Sequence, residues 1–202
     1  MKNNKLIAIM ALLTIIISSS FTTNINDPKL KKIFNGKDLS GWKAPEGNIW
    51  WSANKGILTA KSGPDKKGSI LWTDKEYTDF IIQADFKFGE GTIDSGIFIR
   101  TESQQIQIGE SGSLKRDMTC SPYIPGKGYP VEAKNIKELL KMDTWNTIKV
   151  KAQGSVYTMW LNGKEVLTYD SDTAIEKGPI GLQLHPGREM EIEFKNILFA
   201  EL

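Results

Sequence analysis

The 202-residue chain carries 26 lysines and arginines against 24 acids, with one histidine and one cysteine. Lys2 and Lys5 are the only charges in residues 1–20, so beyond Ser20 basic and acidic residues number 24 each. That balance excludes an electrostatic case for nucleic acid or an anionic membrane as partner. A lone Cys120 excludes an internal disulfide and leaves stability to the core.

Reading from the start, Lys2 and Lys5 precede an apolar run over 6–17 that only Thr14 interrupts, and Ser18-Ser19-Ser20 puts small residues before Phe21. This pattern predicts a secretory signal peptide over 1–20. The run is too short for a membrane span of about 20 residues, so no transmembrane segment is expected after cleavage. Export to the periplasm or the exterior follows. Residues 21–32 read as a polar leader, and 33–202 as a single domain of a size that can bury a substantial core.

From Ile33 onward, short apolar runs alternate with Gly, Pro, Asn and Asp clusters, the spacing of an all-β sandwich or barrel. Phe80, Ile82, Ala84, Phe86 and Phe88 share one parity, with Gln83, Asp85 and Lys87 on the other. Ile148, Val150 and Ala152 alternate in the same way. Asn162-Gly163 between two strand-like runs predicts a tight hairpin, because both turn positions need positive φ. Ile192 and Phe194 have one phase and Ile197 and Phe199 the other, which predicts a bulge near Lys195-Asn196. One helical stripe is present, at Ala133, Ile136, Leu139 and Leu140.

Chemistry is sought on the outward parities. If Ile97, Ile99, Ile106, Ile108, Ile180, Leu182 and Leu184 face the core, then Asp94, Arg100, Gln105, Gln107, Gln183 and His185 face outward. Amides and a guanidinium gathered on one sheet face suit a polyhydroxylated ligand. Trp72 is a candidate stacking platform, while burial accounts for most of the six tryptophans. The Gly-, Pro- and Lys-rich segment 111–129, which contains Lys115, Arg116 and Asp117, reads as an ordered loop over the sheet. Cys120 reads as a small packed side chain rather than a nucleophile. No zinc pattern, P-loop, dinucleotide fingerprint or nucleophile elbow is present, so no cofactor is expected, and a divalent metal would have no dedicated ligand set.

Several blocks together resemble a known family. They are Phe34-Asn35-Gly36-Lys37-Asp38-Leu39-Ser40-Gly41-Trp42, Asp94-Ser95-Gly96-Ile97-Phe98-Ile99-Arg100, Trp145-Asn146, Leu161-Asn162-Gly163, the stretch from Gly178 through Gln183 to His185, and Phe194 with Asn196-Ile197. In order and spacing they are similar to the 3-keto-disaccharide hydrolase domain, over 33–202. The resemblance implies a concanavalin A-like jelly-roll β-sandwich of two antiparallel sheets with one short helix, and cleavage of glycosides already oxidised at C3. One departure stands out: the family often has a carboxylate where this chain has Gln105.

A C3 ketone acidifies the C2 proton, so a base can form an enolate and the C1 substituent can leave by β-elimination, after which water adds. On that reading His185 is the first choice for base or acid, since imidazole titrates near neutrality at about 6.5. Arg100 is the choice for the enolate oxygen, with Glu110 an alternative acid or base and Asp117 a weaker one. Asp94, Gln105, Gln107, Lys115, Arg116, Asp117, Gln183 and Trp72 are the substrate-binding candidates, and the expected partner is a sugar or glycoside. The competing reading is a non-catalytic, lectin-like carbohydrate-binding module. N-terminal sequencing of the exported protein is expected to begin near Phe21; a product that still begins at Met1 would refute the signal peptide.

Overall fold

Among residues 27–202, which the computed structural model describes, fourteen strands and one short helix fall between the turn clusters of the sequence. The predicted signal peptide and the first part of the leader lie outside these residues. In chain order the strands are β1 (Lys31–Lys32), β2 (Trp42–Lys43), β3 (Trp51–Asn54), β4 (Ile57–Lys61), β5 (Ser69–Thr73), β6 (Phe80–Gly91), β7 (Asp94–Ile99), β8 (Gln105–Gly109) and β9 (Pro122–Tyr123). The helix α1 (Ile136–Leu139) precedes β10 (Asn146–Gln153), β11 (Val156–Leu161), β12 (Lys164–Asp170), β13 (Ile180–Leu184) and β14 (Met190–Glu201).

The strands form two antiparallel sheets, the jelly-roll sandwich that the resemblance implied. The larger has the order β12-β11-β10-β6-β14-β4-β3, with β1 also paired to β14; the smaller has the order β2-β5-β13-β7-β8-β9. Lys31 and Lys32 pair with Phe199 and Leu198, so the end of the expected leader belongs to the sheet.

The period-two parities become the two inner faces. Phe80, Ile82, Ala84 and Phe86 of β6 are fully buried beside Ile148, Val150 and Ala152 of β10. Opposite them the smaller sheet contributes Leu71, Ile97, Ile99, Ile106, Ile108, Ile180 and Leu182. Two packed sheets bury one face each, and the outer face of the smaller sheet is left for function.

The turns follow their residues. Asn162 and Gly163 have φ of 49° and 82°, as a type I′ hairpin requires. The β6–β14 register shifts between Lys195 and Leu198, with Asn196 at φ 48°, where the phase slip predicted a bulge. The helix is a single turn, and its Ile136 and Leu139 pack half-buried against the core together with Ala133 and Leu140. Asn162 donates to the Leu139 carbonyl and to Asn146 Oδ1, and Asn146 donates to the Lys141 carbonyl, so two of the family-like blocks fasten the helix to a hairpin.

Truncating a buried aromatic leaves a cavity as well as losing its transfer energy. Phe86→Ala should therefore cost about 3–5 kcal/mol, read as a lowered denaturation midpoint; an unchanged midpoint would place Phe86 outside the core.

Candidate functional site

Pairing registers bring the outward side chains of the smaller sheet together. Gly181 on β13 lies between Trp72 on β5 and Phe98 on β7. Gln183 lies opposite Ile70 and Gly96, and Gly96 lies opposite Gln107. The two glycines leave space that their neighbours use. A Cβ on Gly181 would sit 2.6 Å from the Trp72 ring, and one on Gly96 would sit 2.7 Å from Gln105 Nε2. Over Gly181 the Trp72 and Phe98 rings stack at 5.6 Å with 30° between planes. Over Gly96 the Gln105 amide reaches sideways into a polar row.

That row is a directed chain of hydrogen bonds. Gln105 Nε2 donates to Gln183 Oε1 at 2.9 Å and to Gln107 Oε1 at 2.7 Å. Gln107 Nε2 donates to Asp94 Oδ1 at 2.9 Å. Asp94, only 2% exposed, has its Oδ2 3.2 Å from Arg188 Nε and 3.7 Å from His185 Nδ1. Arg188 Nη1 donates to Glu110 Oε1 at 3.0 Å. His185 Nδ1 lies 2.8 Å from the Pro186 carbonyl, which can only accept; Nδ1 therefore carries the proton of the neutral ring and Nε2 keeps its lone pair.

These groups border a cleft of about 1170 Å³. That is just above the usual range for small-molecule sites, about 300–1,000 Å³. One end is aromatic, with Trp72 and Phe98, and the other is polar, with Asp94, His185 and Arg188; Trp50 also lines the cleft. The loop after β8 walls it with Ser111, Gly112, Ser113 and Lys115, and Tyr123 and Tyr129 stand beside it, their rings 5.2 Å apart. Burial pushes the Tyr129 hydroxyl up to about 12, so it stays protonated as a donor. Asp94, His185 and Glu102 are the metal-ligand types that line the cleft, and among the described residues no three His, Cys, Asp or Glu side chains gather into a set that could hold a metal ion.

The structure brings together most of the residues singled out in the sequence. Asp94, Gln105, Gln107, Gln183, His185, Lys115 and Trp72 all line the cleft. Arg100 does not. It lies one residue past β7 with φ 65°, so strand alternation has ended and its side chain turns away. Its guanidinium donates to the carbonyls of Thr78, Gly154 and Ile175 at 2.6, 2.7 and 2.9 Å and pairs with Asp79. Glu110 reaches the cleft only through Arg188. Arg116 forms an exposed pair with Glu132, and Asp117 accepts from Thr119, its carboxyl raised by burial. Cys120 is fully buried, and burial pushes its thiol up.

Sequence reasoning missed Arg188 and Phe98 as site residues. Phe98 has the outward parity of β7 and could have been found by that rule. Arg188 follows the Pro186-Gly187 turn, where no parity applies.

Residues 29–200 match the 3-keto-alpha-glucoside-1,2-lyase-like domain. The chain belongs to that family. One similar solved structure is that of a candidate glycosyl hydrolase from Parabacteroides distasonis ATCC 8503, 25% identical, covering 87% of this chain and 100% of that one at a TM-score of 0.66. A second such protein from the same organism is 19% identical, with 86% and 94% covered and a TM-score of 0.66. The carbohydrate binding module CBM66 from Bacillus subtilis, 13% identical with 80% and 96% covered at a TM-score of 0.53, shares the fold. No curated protein matches the chain. Within this family member, Arg100 is a structural tie. Arg100→Met should cost about 2–4 kcal/mol, since it strips charged hydrogen bonds from three carbonyls; an unchanged urea midpoint would show that the tie carries no stability.

Proposed function

We propose that the chain is an exported carbohydrate-active enzyme that cleaves 3-keto-glycosides by elimination. The observation that carries this reading is one cleft with a stacked aromatic pair at one end and an acid–base group at the other, joined by a row of amides. Apolar ring faces pack on Trp and Phe, and equatorial hydroxyls pair with fixed amides. The family description, which names a 1,2-lyase acting on 3-keto-alpha-glucosides, supports the same chemistry.

The C3 carbonyl acidifies the C2–H bond. His185 Nε2 takes that proton, and the C–H electrons form the enolate of C2 and C3. Those electrons then make the C1–C2 double bond as the C1–O bond breaks, and the leaving oxygen takes up a proton such as the one now on His185. Water adding back at C1 completes a net hydrolysis. Gln183 and Gln107 hold hydroxyls in ground and transition states alike, so they contribute to binding.

Assay of the purified mature chain on a panel of 3-keto-glycosides, with and without chelator, is expected to show turnover. His185→Ala should lower kcat by about 10²–10⁴-fold with the fold intact. Gln183→Ala should raise KM with kcat little changed. A parent protein that binds glycosides without turnover would replace this reading with that of a carbohydrate-binding module.

A further inference from the structure

Two charged side chains at the polar end each keep hydrogen-bonding capacity unspent. Asp94 Oδ1 is occupied by Gln107, and the buried Oδ2, ion-paired at 3.2 Å with Arg188 Nε, makes no well-formed hydrogen bond and keeps a lone pair to offer. Arg188 uses Nε on Asp94 and Nη1 on Glu110, and its Nη2 is buried without a partner. A buried charged group with an empty valence is costly, so such atoms in a cleft point to what completes them.

Both atoms face the same small volume, beside Gly112. A methyl group placed on Gly112 would lie 3.1 Å from Asp94 Oδ2, 3.7 Å from Arg188 Nη2 and 4.0 Å from His185 Cε1. Gly112 is not among the residues at positive φ, so its backbone does not call for glycine. What its missing side chain provides is room for about one carbon atom, bordered by an acceptor, a donor and the imidazole.

We infer that Asp94 Oδ2 and Arg188 Nη2 form a subsite for an α-hydroxyketone edge, with Gly112 the residue that sets specificity for it. This rests on the 3-keto-glycoside reading and adds how the ketone is told from the alcohol. The carbonyl oxygen accepts from Arg188 Nη2, and the neighbouring C2 hydroxyl donates to Asp94 Oδ2. The guanidinium then meets the oxygen on which enolate charge builds. An unoxidised sugar brings a C3 hydroxyl whose hydrogen needs an acceptor, and Asp94 Oδ2 is already engaged by the C2 hydroxyl. One buried polar atom goes unpaired, which is how hydrogen-bonding sites reject close analogues.

The test uses 1,5-anhydro-3-keto-glucitol, which has no leaving group at C1, against 1,5-anhydroglucitol, with binding read by calorimetry on the full mature protein. The parent should favour the ketone by about 100-fold or more. Gly112→Ala should lose most of the ketone affinity while keeping the parent's denaturation midpoint. Arg188→Gln should bring the two ligands within about threefold of each other; if that variant is destabilised, Asp94→Asn serves the same purpose. A parent that cleaves 3-keto-glycosides while Gly112→Ala and Arg188→Gln keep the parent's ratio overturns the subsite alone. A parent that binds neither ligand and turns over no 3-keto-glycoside overturns the sugar reading with it.

Discussion

Everything in the cleft depends on two missing side chains in the floor of the smaller sheet. Neighbouring strands stand about 4.8 Å apart, too close for large side chains to lie flat at adjacent positions of one face. With Gly181 between them, Trp72 and Phe98 lean together into a single apolar surface. With Gly96 beneath it, Gln105 lies across β7 and reaches Gln183. A side chain at either glycine would force these residues upright, and the groove would become a surface of separate projections. The remaining polar geometry, from Gln107 to Asp94 to Arg188, is built outward from that floor.

The amide at Gln105 fixes the sense of the row. Its nitrogen gives hydrogens to both Gln107 and Gln183, so Gln107 must present its oxygen inward and its own nitrogen to Asp94. A carboxylate at the same place could only accept: it would keep the bond that Gln183 Nε2 already donates to Gln105 Oε1 at 3.3 Å, but it would turn the Gln107 amide round. An amide rather than a carboxylate at Gln105 therefore sets the direction in which Gln107 donates, outward to Asp94 Oδ1.

Strand parity made much of this legible in advance. Wherever a residue lies within a strand, as Gln105, Gln107 and Phe86 do, alternation against an apolar neighbour fixes its face, and the hairpin at Asn162-Gly163 follows from φ alone. The rule fails where strands end. Arg100 and His185 each sit one residue beyond a strand, yet one turns into a left-handed conformation and ties three carbonyls while the other continues the pairing, its amide donating to the Asp94 carbonyl at 3.3 Å. Nothing in a single sequence distinguishes those outcomes. Arg188 was hidden for a related reason: it belongs to a turn, and what places it is the pair of carboxylates at Asp94 and Glu110 that meet only in the folded state.

The burial of Cys120 gives the molecule a built-in clock. The chain's single thiol has no exposed surface in the native state. A thiol-reactive dye thus has nothing to meet in the closed sandwich and one group to meet whenever the β8–β9 region opens. Labelling at high dye concentration counts those openings one by one, and at low concentration it weighs the fraction of time spent open. Because no second cysteine can form a bridge, the count carries no contribution from disulfide exchange, so an unaltered protein could report its own breathing with and without sugar in the cleft.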